Sequence, residues 1–112
     1  ESVTASAASL PFGESEIEAG NIEITKIEGW PLPKVTQVPI AMYCECYQII
    51  EIGNAPQGLV IGEIKETYVQ DDLVQTLDGR LTIDAEKVDP LGRLGGISYG
   101  TLGKSFDVKR SK

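Results

Sequence analysis

From Ile40 to Ile52 apolar and polar side chains alternate. Met42, Cys44, Cys46, Ile50 and Ile52 fall on one face, interrupted by Gln48, and Ala41, Tyr43, Glu45, Tyr47 and Glu51 fall on the other. A period of two over this length predicts a β-strand. Residues Gly53 to Gly58 are dense in turn formers, and a second strand is expected from Leu59 to about Gln70, rich in β-branched and aromatic residues. Gly62 inside that strand marks a bulge or a close backbone contact. The two strands form a predicted hairpin. Weaker alternation over Asn21 to Glu28 predicts a short strand or an extended connection. Ser15 to Ala19 reads as one helical turn closed by Gly20. Trp30-Pro31-Leu32-Pro33 excludes regular helix and central strand, because each proline fixes φ and removes a donor. Asp78-Gly79 reads as a turn, and Leu81 to Val88 as a short helix with Asp84 near its start and Pro90 past its end. Phe106 and Val108 lie in a final extended piece, and residues 109–112 form a solvated basic tail. The expected class is mainly β, a barrel or sandwich with short helices.

The chain has 112 residues, enough for one domain. A hydrophobic fraction of 41% and a charged fraction of 24% are ordinary for a globular protein. Seventeen acidic against ten basic residues give a net charge of −7. That excludes a broad phosphate-binding face, so no nucleic-acid partner is expected; a local cationic pocket for one small anion stays open. No run approaches the ~20 apolar residues of a membrane helix. The chain starts at Glu1 without a methionine or a signal-like segment.

There is no histidine, which removes the commonest general base and most zinc sites; no metal site is expected. Cys44 and Cys46 would share a strand face roughly 6–7 Å apart, a poor distance for a disulfide. They are expected as small buried hydrophobes in a reduced, cytoplasmic setting.

The chemistry concentrates after Asp89. Gly92, Gly95, Gly96, Gly100 and Gly103 surround Arg93 and Tyr99. Neither GxGxxG nor GxxxxGK[ST] is present, although Gly100 to Ser105 imitates the end of the latter. Gly95-Gly96 permits positive φ and the close approach of a flat partner. Arg93 supplies a permanent cation with planar donors, and Tyr99 an aromatic face with a hydroxyl. Two readings stay open: a ligand surface, or a tight loop with Arg93 paired to a carboxylate and Tyr99 packed as core.

The run Asp89-Pro90-Leu91-Gly92-Arg93-Leu94-Gly95-Gly96-Ile97-Ser98-Tyr99-Gly100-Thr101-Leu102-Gly103 resembles the C-terminal motif DPLxRLGGxxYxTLG of the flavin reductase-like, FMN-binding split-barrel family. Phe12 to Gly20, Ile40 to Ile52 and Leu59 to Glu63 resemble, in the same order, that family's connection and strand motifs. The resemblance implies a split β-barrel, a Greek-key-like antiparallel barrel with short helices. Members are commonly about twice this length, and their N-terminal half takes most contacts to FMN. Residues 1–112 are therefore expected to be the C-terminal portion of a single such domain, an incomplete barrel. The implied function is an FMN-binding oxidoreductase with NADH or NADPH as electron donor, FMN lying in a groove at a dimer interface. The alternative is a non-catalytic flavin-binding or structural dimerisation module. Arg93, Gly95, Gly96 and Tyr99 match the motif and are the expected cofactor-binding residues; no catalytic side chain is assigned. Thr4 and Ser6 match a small polar stretch, with helix capping as the competing role. Trp30 is expected to pack or to sit at an interface, and Glu45 and Glu63 to be solvent-facing charges. Expected partners are a second copy of the chain, or a companion chain carrying the N-terminal half.

Overall fold

The computed structural model describes residues 9–111, so Thr4 and Ser6 lie outside the described residues. Among the described residues the fold is mainly β, with eight strands arranged as four two-stranded ladders. Among the described residues no ladder is hydrogen-bonded to another, so no barrel closes. The chain divides into two compact units, Glu1–Thr67 and Tyr68–Lys112.

In the first unit, α1 (Glu16–Ala19) is one helical turn. Ser15 caps it by accepting the Ile17 N–H at 3.2 Å, as Ser does at helix starts. Gly20 follows with φ −88°, and the left-handed residue is Asn21 at φ 50°. The turn ends at Ala19 with Gly20 just past it, as expected, although the left-handed conformation falls on Asn21 rather than on the glycine. Strands β1 (Ile24–Thr25) and β2 (Lys34–Val35) pair antiparallel, with Ile24 opposite Val35 and Thr25 opposite Lys34. The Thr25 and Thr36 hydroxyls share a 2.7 Å hydrogen bond beside this ladder. Lys34 is 9% exposed and donates through Nζ to the carbonyls of Val35 and Thr36.

Strands β3 (Ile40–Glu51) and β4 (Gly58–Val69) form the long hairpin, each within a residue or two of the expected bounds. The connection is too short for a parallel crossover, so the pair is antiparallel. Gly62 lies against the partner strand: a Cβ placed there would stand 3.1 Å from Cys44 Cβ. This is the close contact that a glycine inside a strand announces. Cys44 and Cys46 are free and exposed, where burial was expected. Alternation positions a side chain on one face of a strand, but burial needs a second layer over that face. Among the described residues no such layer covers this one: Met42, Ile50 and Ile52 beside the cysteines are also exposed.

In the second unit a 3-10 turn at Asp71–Leu73 leads into β5 (Val74–Leu77) and β6 (Arg80–Ile83). These pair in strict register from Val74↔Ile83 to Leu77↔Arg80. Asp78 at φ 49° and Gly79 at φ 74° make the two-residue turn. Two successive positive φ values match the right-handed twist of the flanking strands, which is why Asp-Gly marks such hairpins. Leu81–Ile83 is therefore strand, and the helix expected from Leu81 is shorter: α2 covers Ala85–Val88. Register with β5 outweighs helix propensity until Asp84, whose carboxylate accepts the N–H groups of Glu86 and Lys87 and starts the helix.

Leu73, 3% exposed, is the buried apolar residue among those described. Its carbonyl accepts the Asp84 N–H at 2.9 Å, and Lys87 Nζ reaches the neighbouring Asp72 carbonyl at 3.4 Å. The 3-10 turn, the end of β6 and α2 are thus tied together around Asp72 and Leu73. Leu73→Ala is expected to destabilise this unit by about 2–4 kcal/mol, the range for truncating a buried leucine. Urea unfolding followed by circular dichroism measures it, and a loss below about 1 kcal/mol would show that Leu73 is not a packing centre.

Candidate functional site

The glycine-rich run folds as a hairpin. Strand β7 (Gly92–Gly95) pairs antiparallel with β8 (Ser98–Gly100), and Arg93 stands directly opposite Tyr99. The register shifts between Arg93 and Gly95, a bulge at the tip. Gly95 has φ 119° and Gly96 φ 55°, values that L side chains adopt rarely. A Cβ at either glycine would meet no atom within 4 Å, so this backbone faces open space.

The hairpin has two unlike faces. Directly opposed residues share a face, which places Arg93 and Tyr99 on the same side of the hairpin. Arg93 Nη2 donates to the Gly96 carbonyl at 3.4 Å, bracing the side chain toward the tip. Among the described residues no carboxylate pairs with Arg93. Tyr99 is 36% exposed, so it is not a core side chain. The other face is apolar. A Cβ on Gly100 would stand 3.1 Å from Leu94 Cδ1, so Leu94 lies across Gly100. A shallow cavity of about 390 Å³ on this side is lined by Pro90, Leu91, Gly92, Leu94, Gly100, Thr101 and Leu102.

Two carboxylates that were not among the expected site residues hold the segment after β8. Asp89, at φ 47° in the left-handed region, ends α2 and accepts the Leu102 N–H at 3.2 Å. Glu86 accepts both the backbone N–H of Ser105 at 2.7 Å and its hydroxyl at 3.0 Å. No local spacing rule connects residues 13 and 19 apart, so only the fold reveals these bonds. Residues 101–111 carry no regular structure, which places Phe106 and Val108 outside any strand.

A second polar cluster lies on β3 and β4. Trp30 packs on Tyr43 with ring centroids 5.9 Å apart, and its Nε1–H donates to Glu66. This is the packing role expected of Trp30. Burial raises the Tyr43 phenol above its ordinary value, and the neighbouring Glu45 carboxylate, which accepts its O–H at 3.3 Å, adds to the rise. Lys65 lies between Glu63 at 2.9 Å and Glu45 at 3.8 Å. Its ammonium is held above its ordinary value, chiefly by the hydrogen bond to Glu63. Both glutamates are more than half exposed, as expected for solvent-facing charges. Among the described residues no group of histidine, cysteine, aspartate and glutamate side chains could hold a metal ion. No helix among them is long and apolar enough to cross a membrane.

No family model matches the chain. An uncharacterised protein of Halalkalibacterium halodurans is 32% identical over 98% of this chain, which corresponds to 53% of that protein. The crystal structure of nitrilotriacetate monooxygenase component B from Bacillus cereus superposes with a TM-score of 0.79 at 32% identity, over 96% of this chain and 53% of that one. A split-barrel domain protein of Shewanella frigidimarina, described as a candidate flavin reductase, gives 0.82 at 25% identity over 98% and 54%. The chain resembles about half of a flavin reductase-like split barrel. The 2-nitrobenzoate 2-nitroreductase of Pseudomonas fluorescens belongs to the same set of split-barrel neighbours, with a TM-score of 0.74, 29% identity and 48% of its length matched. The chain thus spans about half the length of each relative.

The titrations of Tyr43 and Lys65 make the β3–β4 cluster sensitive to alkali. Both groups have folded pKa values raised above the ordinary 10.0 and 10.5. Each therefore contributes stability that is present below its unfolded value and lost as pH rises through the folded one. Stability measured by urea unfolding is expected to keep the full contribution of these groups up to about pH 9 and to lose it from about pH 10 upward. In Tyr43→Phe, Lys65→Met the alkaline fall should be smaller. An equal fall in the double variant would assign the effect elsewhere.

Proposed function

We propose that this chain is the C-terminal portion of an FMN-binding oxidoreductase domain, with FMN held near the Arg93–Tyr99 hairpin in a groove between two copies of the domain. The observation that carries the reading is the split-barrel likeness over nearly the whole chain to proteins named as a monooxygenase component B and a candidate flavin reductase. The hairpin fits a planar cofactor on its own terms. Gly95 and Gly96 leave open space where side chains would stand. Arg93 and Tyr99 offer a guanidinium and an aromatic hydroxyl on one face.

In this reading Arg93 would donate to ring carbonyl oxygens, which a permanent planar cation suits. Tyr99 would present its ring edge and hydroxyl, and Gly95-Gly96 would let the flat group approach the backbone. FMN, when bound, would supply the redox chemistry, hydride acceptance from NADH or NADPH and electron delivery to a second acceptor. This requires no side-chain base, in keeping with a chain that has no histidine. A net charge of −7 makes a local cation at Arg93 valuable for an anionic cofactor. The remaining contacts to FMN, its phosphate included, would come from the other half of the relatives' length. That half, or a second copy, would also cover the apolar strand faces left exposed here.

The test is FMN titration of the protein carrying the complete domain, followed by flavin fluorescence quenching, with NADH and NADPH oxidation as the second readout. The wild type is expected to bind FMN and oxidise a nicotinamide. Arg93→Ala is expected to weaken FMN binding about tenfold, the cost of one charge-assisted hydrogen bond, with an unchanged circular dichroism spectrum. Unchanged affinity and rate in that variant would remove Arg93 from the site. FMN binding without nicotinamide oxidation would favour a non-catalytic module, and absence of binding in the wild type would end the flavin reading.

A further inference from the structure

The Arg93–Tyr99 hairpin is short, bulged and glycine-rich, and its tip is open to solvent. A four-residue strand paired with a three-residue one cannot hold its own register firmly. Something outside the ladder must fix how Arg93 and Tyr99 are presented. The two ends of the hairpin are Pro90-Leu91 on the way in and Thr101-Leu102 on the way out. Asp89 stands immediately before the first, and its Oδ1 accepts the Leu102 N–H just beyond the second. The bond ties the two ends together across the base of the hairpin.

Asp89 is itself well held. Its own N–H donates to the Ala85 carbonyl at 3.1 Å, and it occupies the left-handed conformation that ends α2. The following Pro90 cannot continue a helix. The carboxylate is thus delivered from a capped helical turn rather than from a free loop. Three residues beyond Leu102, Glu86 of the same turn holds Ser105 by two further bonds. The segment leaving β8 is held by α2 and its cap twice.

We propose that Asp89 is a positioning residue: by holding the Leu102 N–H it closes the base of the hairpin and sets the register in which Arg93 faces Tyr99. Its consequence for cofactor binding rests on the flavin reading above; its consequence for the hairpin does not. The residue needs two properties at once, a short side-chain acceptor and tolerance of positive φ. Aspartate and asparagine have both, and glycine has only the second.

The test compares wild type, Asp89→Asn and Asp89→Gly in the protein carrying the complete domain, by site-resolved amide hydrogen exchange and by FMN titration. In Asp89→Gly the Leu102 amide and the amides of β7 and β8 are expected to exchange about tenfold faster. The Leu73 amide, bonded to Gln70, should keep its protection. FMN affinity should fall by a similar factor, and Asp89→Asn should restore both. Faster exchange at Leu102 alone, with β7, β8 and FMN affinity unchanged, would overturn the positioning role. So would an asparagine variant as impaired as the glycine one. Wild type that binds no FMN, with the exchange pattern as expected, would retire the flavin reading and leave Asp89's effect on the hairpin standing. Should Asp89→Gly unfold, seen as lost protection at Leu73, Leu102→Pro deletes the same bond from the donor side; unchanged β7 and β8 exchange there would overturn the proposal.

Discussion

An antiparallel pair satisfies the backbone groups on one edge of each strand and leaves the other edge open. Every strand described here belongs to such a pair and to nothing larger. That constraint governs the rest. With two strands and no second layer, a strand face has nothing to pack on. Apolar residues such as Ile49 and Ile50 on β3 and Ile52 just past it, or Leu59, Val60 and Ile64 on β4, consequently stay exposed. Local order then rests on turn chemistry and on polar ties: Ser15 and Asp84 at helix starts, Asp78-Gly79 in a tight turn, Trp30 on Glu66, Asp89 on Leu102. In split-barrel neighbours about twice as long, the same segments form only half of the chain.

What was legible in the amino-acid order follows from the range of each interaction. Residues 40–51 and 58–69 were readable because alternation is local and long. The Asp78-Gly79 turn was readable because two positive φ values demand those residue types. The fate of Leu81–Ile83 was not, since these residues join a strand only through pairing with Val74–Thr76. Cys44 and Cys46 mark a different failure. Their shared face was right and their burial wrong, because periodicity says which way a side chain points and not what stands in front of it. Of the candidate site, Arg93, Gly95, Gly96 and Tyr99 stood out by type and by family resemblance. Asp89 was visible only as part of a motif, and Glu86 not at all, because their partners lie in a segment without regular structure.

The hairpin at 92–100 separates two kinds of surface by strand alternation alone. One face carries an arginine and a tyrosine, the other a leucine lying over a glycine. Gly100 is what lets Leu94 lie flat there, and Gly95 and Gly96 are what leave the tip bare. The glycines therefore serve two purposes within one short element: at position 100 absence of a side chain admits a neighbour from the same hairpin, while at 95 and 96 it keeps neighbours away. A motif read as uniformly glycine-rich divides, in three dimensions, into a packing position and an approach surface.

Trp30 is the chain's single tryptophan, and its indole is fixed between Tyr43 and Glu66 on one hairpin. Intrinsic emission excited at the indole is therefore a local gauge. It reports whether β3 and β4 still hold that ring, and it is blind to melting confined to the unit that begins at Tyr68. A trace of indole emission that looks like a single cooperative event would describe the unit that holds Trp30 and not, by itself, the one carrying Arg93.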